Sequence, residues 1–317
     1  MKIKNIMITS FLGLGNTINL IPLAEKIKRK NPCKKVIFLV LNDLFKEILE
    51  KNPFIDKIIK IPEEKSLWKN FYFSLKLKQE VNNSQTLFIT TYPHGPRRDN
   101  FIKFFYNPKY SIVVNPKNRL EKVLYQKKIK IKKNHDVVNN LKAIKKSPNY
   151  LRPKIFLSES EKNLAKKELK DKKIKKNDKI IGIHPGCDKN NSNKRLPIEE
   201  FYKIIIKLKR NKRKFLIFFG PDEKEMIPKF ERILKKDIDK TIFLISDRNI
   251  KSIASLISVC ERFISNDSGL MHIAEGVGVK KIDAFFLESK IYRNAPLNKK
   301  NRCYKSIEEF IKKEDFK

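Results

Sequence analysis

Three short segments carry the residues best suited to chemistry, because each combines glycine with polar side chains directly after an apolar run. The first reads SFLGLGNT over residues 10–17. The second reads IGIHPG over 181–186 and leads to KRLP at 194–197, and the third reads ISNDSGLMH over 264–272. In open α/β sheets, ligands bind in the loops at the carboxyl ends of the strands. The three segments are therefore candidates for ligand-binding loops.

The first segment predicts a turn that brings the backbone close to a ligand. Gly13 and Gly15 allow backbone N–H groups to approach a bound group, and the start of a following helix favours negative charge. A dinucleotide-binding fingerprint would have glycine or alanine at the position of Ile18, so the match to that motif is incomplete. A tight strand-to-helix turn without a ligand is the alternative interpretation.

The second segment indicates a phosphate site. Pro185 removes a hydrogen-bond donor and Gly186 permits a sharp turn, so the strand is expected to end at His184. Lys194 and Arg195 then stand just before a predicted helix, where two cations beside free helix N–H groups suit a diphosphate. In so basic a chain, a solvated lysine–arginine pair is the alternative.

The third segment predicts a second helix start that can hold an anion. The N–H groups from Gly269 onward and the hydroxyl of Ser268 can bind phosphate oxygens, while Asp267 can accept hydrogen bonds from sugar hydroxyls. The alternative is structural, since Asn266, Asp267 and Ser268 are all residues that cap helices.

The elements that must position these loops alternate between short apolar runs and amphipathic stretches, which predict strands and helices respectively. Strands are predicted at 4–9, 35–41, 57–61, 86–90, 179–184, 215–219, 241–245, 262–265 and 281–286. Helices are predicted at 17–30, 44–51, 68–81, 198–209, 223–235, 250–259 and 269–277, with a Lys-rich and mostly helical stretch over 117–176. This alternation favours βαβ units and parallel sheets.

We therefore expect an α/β fold with two Rossmann-like domains, at 1–165 and 166–317, whose boundary falls between Pro153 and Asp178. At about 100–200 residues per domain, the 317 residues are enough for two domains with full cores. The final helix is expected to pack back on the first domain.

The net charge of +37 raises the possibility of a nucleic-acid partner. However, 59 of the basic residues are lysines and only 13 are arginines, and the lysines run along the whole chain. A surface that reads phosphates would more often concentrate arginine. We therefore expect no nucleic-acid partner, while contact with anionic lipid headgroups remains open.

The cysteines Cys33, Cys187, Cys260 and Cys303 are far apart, with no CxxC and no histidine at ligand spacing. They predict neither a disulfide framework nor a zinc site, and they favour a reducing compartment. The apolar run near the N-terminus is broken by polar residues, and no stretch reaches the roughly 18 apolar residues of a membrane span. A cytoplasmic location is expected.

Further blocks extend the pattern, since the chain reads FFGPDE at 218–223, ISNDSGLMHIAEGVGV at 264–279 and CYKSIEEF at 303–310. In this order and at these spacings, the blocks resemble glycosyltransferase family 9, the ADP-heptose:lipopolysaccharide heptosyltransferase family, over nearly the full length. The resemblance implies a GT-B fold, in which two Rossmann-like domains face each other across a cleft. It also implies that the first domain binds the acceptor, the second binds the nucleotide-sugar, and transfer is inverting and needs no metal or other cofactor.

The resemblance assigns roles to individual residues. Lys194 matches the lysine on the donor phosphate, Asp267 the aspartate on the donor sugar, and Glu223 the acidic residue on the ribose, with Asp222 or Glu225 as alternatives. The donor-binding set implied in this way is His184, Pro185, Gly186, Lys194, Arg195, Glu223, Asp267, Ser268, Gly269, Leu270 and His272, in which the two histidines orient loops.

The partners implied are an ADP-linked sugar, most simply ADP-heptose, and a lipid-linked glycan of the lipopolysaccharide core or a related surface glycan. The acceptor side is the loop with Gly13, Gly15 and Asn16. Such an acceptor would place the protein on the inner face of the cytoplasmic membrane, and the Lys-rich stretch over 117–176 is expected to help it dock there.

The chain departs from the family pattern at two places. The family usually has Gly-Asp after the first strand, with the aspartate as general base, whereas this chain has Gly15-Asn16. An amide cannot take a proton, so His94 or Asp99 could serve instead, the acceptor could need less activation, or the protein could be a weak relative. The last strand also ends in Leu287-Glu288-Ser289, where relatives commonly have Gly-Pro-Thr.

Overall fold

The computed structural model describes residues 2–63, 66–144, 151–187, 194–209, 213–234 and 241–314. The chain divides into two compact units, Met1–Phe156 and Leu157–Lys317. The division lies inside the predicted boundary region but before residue 165, because the helix Glu159–Asp171 packs against the helix Ile250–Ser258 of the second unit. Ser158 caps the start of Glu159–Asp171 in a capping box with Glu161.

The first unit is a six-stranded sheet in which all paired strands run parallel. Its strands are β1 (Asn5–Ser10), β2 (Lys35–Val40), β3 (Lys57–Lys60), β4 (Thr86–Thr90), β5 (Tyr110–Val114) and β6 (Lys127–Ile129), in the order β3-β2-β1-β4-β5-β6. Its helices are α1 (Leu14–Ile18), α2 (Ile21–Lys30), α3 (Asp43–Leu49), α4 (Leu67–Glu80), α5 (Pro96–Tyr106), α6 (Arg119–Leu124) and α7 (Asp136–Leu141).

The second unit is also a six-stranded parallel sheet. Its strands are β7 (Ile180–His184), β8 (Lys214–Phe218), β9 (Ile242–Ile245), β10 (Arg262–Asn266), β11 (Lys281–Phe285) and β12 (Arg302–Tyr304), in the order β12-β11-β10-β7-β8-β9. Its helices are α8 (Glu159–Asp171), α9 (Ile198–Lys209), α10 (Met226–Leu234), α11 (Ile250–Ser258), α12 (Gly269–Gly276), α13 (Ile291–Asn294) and α14 (Ile307–Lys313).

Both sheets have the same Rossmann-like topology. In each, the first and fourth strands of the unit are neighbours at the centre, β1 beside β4 and β7 beside β10. The chain therefore leaves these two strands in opposite directions, which opens a crevice at their carboxyl ends where ligands bind in such sheets. The prediction of two parallel α/β sheets is confirmed, and the three candidate segments lie at these two switch points.

Some predicted elements were wrong in detail. The predicted helix 17–30 is two helices, since α1 ends at Ile18 and α2 begins afresh at Ile21 with Pro22 in its first turn, where proline is favoured. The predicted helix 223–235 is a short 3₁₀ turn, Pro221–Glu223, followed by α10. Among its described residues, the stretch 117–176 is helical at 119–124, 136–144 and 159–171, and it also contains the three-residue strand β6, which was not predicted.

Each unit has its own hydrophobic core between sheet and helices. In the first unit it includes Met7, Leu39, Phe88 and Val113 from the central strands. In the second, Phe285 at the end of β11 packs on Tyr304 and Phe310, with ring centroids 5.7 Å away in both cases. The buried Phe310 thus fixes α14 in the core of its own unit, and a contact of this helix with the first unit stays a prediction. Within the described ranges, no helix is long and apolar enough to cross a membrane.

Candidate functional site

Asn266 organises the switch point of the second unit. It is the last residue of β10 and is fully buried. Its Nδ2 donates to the carbonyl of Pro185 at 2.7 Å, and its Oδ1 accepts from the N–H of Leu196 at 2.9 Å. One side chain therefore fixes both the start of the loop after β7 and the residues that precede α9. The intervening loop residues 188–193 lie outside the described part of the chain.

The start of α12 has no side-chain cap. Ser268 is the N-cap residue, yet its hydroxyl makes no capping hydrogen bond. Its Oγ is buried and has no hydrogen-bond partner among the described residues. Of the three residues in the capping alternative, Ser268 makes no side-chain capping bond and Asn266 bonds to Pro185 and Leu196 instead, while capping by Asp267 stays a prediction. The N–H groups of the first turn from Gly269 onward, the helix dipole and the hydroxyl of Ser268 are together suited to bind an anion.

Asp267 lies beside this helix start among three cations. Its side chain is only partly buried, and burial raises the pKa of its carboxyl. The nearby cations Lys194, Arg293 and Lys305 oppose that rise. Lys305 also donates to the carbonyls of Phe286 and Ser289 at 2.6 and 2.9 Å, which fixes the loop after β11. The arrangement places a hydrogen-bond acceptor next to a positively charged anion site.

The neighbours Lys194 and Arg195 differ in what they contact. Lys194 is half-buried and acts electrostatically on Asp267. The guanidinium of Arg195 donates to the carbonyl of Cys187 at 2.6 Å and lies 3.9 Å from Glu223. Arg195 therefore helps to hold the start of the loop after β7 in place, whereas Lys194 is one of the three cations near Asp267.

Glu223 stabilises the turn after β8 in which it lies, through a hydrogen bond between its side chain and the backbone. Its Oε2 accepts from the N–H of Gly220 at 2.6 Å, and the residue is 5% exposed. The backbone of Gly186 packs directly against this carboxylate, so that a Cβ at residue 186 would overlap it. Contact of Glu223 with a ribose stays a prediction, and the alternatives Asp222 and Glu225 are both exposed.

Two histidines at the same switch point are buried and uncharged at neutral pH. The Nδ1 of His184 lies 3.0 Å from the carbonyl of Phe218, and burial lowers the pKa of its imidazole. Burial lowers the pKa of His272 to about 4. Neutral, enclosed rings favour the interpretation that they orient loops. In the described part of the chain, no group of three His, Cys, Asp or Glu side chains is placed to hold a metal ion.

A hydrogen bond joins the two ends of the glycine-containing turn of the first unit. Ser10 at the end of β1 and Thr17 in α1 have their hydroxyl oxygens 2.7 Å apart. Gly13 is the N-cap residue of α1, Gly15 is buried, and Asn16 is partly exposed. The turn therefore presents the Asn16 amide at the carboxyl end of β1.

His94 and Asp99, which could act as general base because Asn16 cannot, are both enclosed within the first unit. His94 is 3% exposed, and its Nε2 lies 2.8 Å from Glu121. Asp99 is 1% exposed, and one of its oxygens accepts from the N–H of Gly95 at 3.2 Å. Burial lowers the pKa of His94 and raises that of Asp99 to about 7. Their role as general bases stays a prediction. It would require a conformation in which the acceptor hydroxyl can reach these buried side chains.

A cavity of about 670 Å³ lies at the carboxyl ends of β1, β2 and β4. Residues that directly follow strands, Phe11 after β1 and Leu41 after β2, form part of its wall. The rest of the lining comes from α4, α5 and their approaches: Glu63, Leu67, Asn70, Gly95, Pro96, Arg97, Arg98 and Phe101. The sequence interpretation missed this cavity, although an apolar residue just beyond two neighbouring strands was a signal for it.

Solved structures share this fold. A family 9 glycosyltransferase from Veillonella parvula superposes with a TM-score of 0.84 at 18% identity, covering 98% of this chain and 88% of that one. The ADP-heptose lipopolysaccharide heptosyltransferase II of E. coli gives a TM-score of 0.78 at 16% identity, covering 96% and 90%. At such low identity these likenesses show the fold, and the predicted GT-B class is confirmed.

Similarity in sequence points to the same group. Lipooligosaccharide heptosyltransferase 2 of Campylobacter jejuni strain 81116 is 29% identical over 128 residues. That match spans 40% of this chain and only 40% of the length of the relative. The family model described as glycosyltransferase family 9 (heptosyltransferase) matches residues 102–316, which is more than half of the chain. The chain therefore belongs to glycosyltransferase family 9, the heptosyltransferase family.

Proposed function

We propose that this chain is an inverting, metal-independent glycosyltransferase that moves a heptose from ADP-heptose to a lipopolysaccharide-core or related surface glycan. One observation carries the proposal: the second unit gathers Lys194, Asp267 and the uncapped start of α12 at its switch point. Two solved relatives in E. coli, an ADP-heptose heptosyltransferase and a heptosyltransferase with ADP, support the choice of donor.

The donor fits this switch point by charge. The diphosphate of the donor would lie against the N–H groups that follow Gly269, the hydroxyl of Ser268 and the ammonium of Lys194. Asp267 would accept hydrogen bonds from the hydroxyls of the sugar. The buried Asn266 bonds to Pro185 and Leu196, the two ends of the loop between β7 and α9, so these residues beside the binding groups are positioned before the donor arrives.

Transfer would proceed by displacement at the anomeric carbon. The acceptor oxygen forms a bond to that carbon from the face opposite the diphosphate, the bond to the diphosphate oxygen breaks, and the configuration inverts. Negative charge grows on the leaving nucleoside diphosphate, where Lys194 and the dipole of α12 stabilise it more strongly than in the ground state. These groups supply the positive charge that a divalent ion supplies in other transferases, which supports metal independence.

The acceptor hydroxyl must also lose a proton, and Asn16 cannot take it. The amide at Asn16 can orient the acceptor by a hydrogen bond, because it is partly exposed at the end of β1. Proton removal then falls to His94, Asp99 or solvent, or the acceptor needs little activation. Loss of a general base costs about 10²–10⁴-fold in rate, so a slow enzyme is the third possibility.

We place the acceptor in the first unit, at the 670 Å³ cavity next to the glycine-containing turn. Its wall combines apolar side chains with Arg97 and Arg98, which suits an amphipathic molecule that carries negative charge. A lipid-linked glycan has that character. The protein would then work in the cytoplasm, peripherally on the inner face of the cytoplasmic membrane.

The decisive experiment is turnover of ADP-heptose by the purified chain with a lipid-linked core acceptor. We expect release of ADP that depends on both substrates, persists in EDTA, and gives a product of inverted anomeric configuration by NMR. Efficient use of a UDP- or GDP-linked sugar instead would overturn the donor assignment. Loss of turnover in EDTA that Mg²⁺ restores would overturn the metal-independent mechanism.

A further inference from the structure

The helices α4 and α5 of the first unit display large apolar side chains to solvent. Trp68 is 81% exposed, Tyr72 70% and Leu67 67%, all on α4, and Phe104 on α5 is 58% exposed. Leu75, one turn beyond Tyr72, is 40% exposed. We call these five residues the aromatic face. Single exposed apolar residues are ordinary, but a contiguous set marks a surface that binds something.

Ring contacts beneath this face make it continuous. Phe105 is the hub, with ring centroids 4.9 Å from Phe71 and 5.1 Å from Phe104. Phe71 in turn lies 6.4 Å from Trp68, and Phe101 lies 4.7 Å from Phe105. Three of these contacts are edge-on and the one between Phe101 and Phe105 is tilted, and both are favourable arrangements of aromatic rings. The exposed side chains therefore project from a packed base that joins both helices.

The charges around the face are mainly positive. α4 carries Lys69, Lys76 and Lys78, and α5 begins with Arg97 and Arg98. The acidic residues nearby that the structure describes are engaged, since Glu80 pairs with Lys57 at 2.6 Å, Glu63 lies 3.6 Å from Lys60, and Asp99 is buried. Such a rim attracts an anionic surface, and at a net charge of +37 it repels a second copy of the chain.

The face also borders the cavity to which we assign the acceptor. Leu67 belongs to both, and Phe101 lines the cavity while stacking on Phe105. A lipid-linked glycan held by its lipid in a bilayer would lie with its sugar beside that cavity if the bilayer covered the face. Tryptophan and tyrosine prefer the interface between lipid and water, and basic residues bind anionic headgroups.

We propose that the aromatic face lies on a bilayer containing anionic lipid, with Trp68, Tyr72 and Phe104 in the headgroup region. The proposal rests on the proposed function, because a lipid-linked acceptor is what brings the chain to a membrane. It assigns docking to the helices α4 and α5, in place of the Lys-rich stretch over 117–176 that the sequence suggested.

The test uses the fluorescence of Trp68, which is the single tryptophan of the chain and sits on the face itself. With vesicles of phosphatidylcholine and phosphatidylglycerol, we expect its emission to shift to shorter wavelength and brominated acyl chains to quench it. High salt, or vesicles of phosphatidylcholine alone, should weaken the effect, by about fivefold for each basic residue that no longer contacts anionic lipid. Vesicles that bind the chain while the emission stays unchanged would overturn the proposal.

A matched pair of variants separates this face from other exposed apolar residues. Phe104→Ser removes a 58% exposed side chain of the face, and Leu164→Ser removes a 62% exposed side chain on α8 in the second unit. We expect the first to weaken vesicle binding by about tenfold and the second to leave it unchanged. Equal effects, or loss of binding only in Lys166→Glu/Lys170→Glu on α8, would contradict docking through this face.

Two controls separate lipid docking from self-association and from catalytic turnover. A blue shift that appears without vesicles and grows with protein concentration would show self-association and overturn lipid docking. Plain lipid vesicles contain neither donor nor acceptor, so binding is scored independently of turnover. Release of ADP with a soluble, delipidated acceptor but no vesicle binding would overturn only the docking surface, whereas vesicle binding with no turnover of any nucleotide-sugar would overturn only the proposed function.

Discussion

At the switch point of the second unit, the side chain of Asn266 at the end of β10 bonds to both ends of the loop between β7 and α9, while Lys194 and Asp267 lie near the start of α12. At the equivalent place in the first unit, the loops border an apolar cavity with Arg97 and Arg98 at its wall. Both units have the same strand order, so the sheet supplies only a crevice. The loops decide whether that crevice suits an anion or an amphipathic molecule.

The two units also differ in how many large apolar side chains they expose to solvent. In the described part of the second unit, the exposed large apolar residues are Leu164 and Tyr292, which lie on different helices. The first unit instead has the aromatic face, which adjoins its cavity. A charged site suits a water-soluble donor, and an apolar site beside an apolar surface suits a lipid-linked acceptor.

Asn16→Asp should change the rate most, because it would give the first unit the carboxylate that the resemblance to the family implies at this position. We expect the rate of ADP release to rise by about 10²–10⁴-fold, since an aspartate can accept the proton of the acceptor hydroxyl. Asn16→Ser is the control, because it shortens the side chain without adding a base. An unchanged rate for Asn16→Asp would mean that another group, such as His94 or Asp99, already takes the proton.

Lys194→Ala should lower the turnover rate while leaving the second unit folded. We expect the turnover rate to fall by about 10²–10³-fold, because the growing charge on the diphosphate loses its cation. The matched control is Lys203→Ala on α9, where the lysine pairs with Glu200 at 2.8 Å and is exposed. Equal activity of the two variants would remove Lys194 from the mechanism.

The buried titratable groups should give the two units opposite pH dependences. Asp99 in the first unit has its pKa raised to about 7, from about 3.9 when unfolded, so the native state keeps a proton that the unfolded chain releases. Its contribution to the free energy of unfolding therefore falls as pH rises from 4 to 7, by about 1.4 kcal/mol per pH unit. His272 in the second unit, with its pKa near 4, destabilises the fold as pH falls below about 6.5.

Urea unfolding at pH 5 and pH 7 checks these slopes. Relative to the wild type, Asp99→Asn should gain more stability at pH 7 than at pH 5. His272→Gln should do the reverse, gaining more at pH 5. Two variants whose stability follows the wild type in parallel at both pH values would show that neither group titrates as its burial implies.

Gly186→Ala and Gly13→Ala compare the backbone of the two loops, and they should have the smallest effects. A Cβ at residue 186 would overlap the carboxylate of Glu223, whereas at residue 13 the nearest atom is the amide nitrogen of Asn16 at 3.6 Å. We expect Gly186→Ala to cost about 1–3 kcal/mol of stability and Gly13→Ala less than about 0.5 kcal/mol. Thermal melting measures both, and similar losses would mean that the loops are equally crowded.

Much of the fold was predictable because central strands of parallel sheets are buried on both faces and read as apolar runs. The strand at 86–90 was predicted with the bounds that the structure has. β6 was missed because it is a short strand at the sheet edge with two lysines among its three residues, and such edges tolerate charge. β5 and α5, which build one side of the first unit, were also missed.

The positions of the site residues were predictable, but their contacts were not. Lys194, Asp267 and Asn16 were recognised because each follows a strand or precedes a helix. The hydrogen bonds of Asn266 join residues 185, 196 and 266, and no local pattern reveals contacts over such separations. Whether His94 points into the unit or out of it depends on the packing of Glu121 against it, which is also a long-range contact.

Thermal melting of the whole chain with ADP, UDP, GDP, CMP and dTDP, in the wild type and in Lys194→Ala, shows whether the second unit binds a nucleoside diphosphate through Lys194. We expect ADP to stabilise the wild type selectively, by about 2.7 kcal/mol at 100 times its Kd, and Lys194→Ala to lose most of that gain. Stabilisation by ADP that survives in Lys194→Ala, or no response to any nucleotide, would contradict a diphosphate site at the switch point of the second unit.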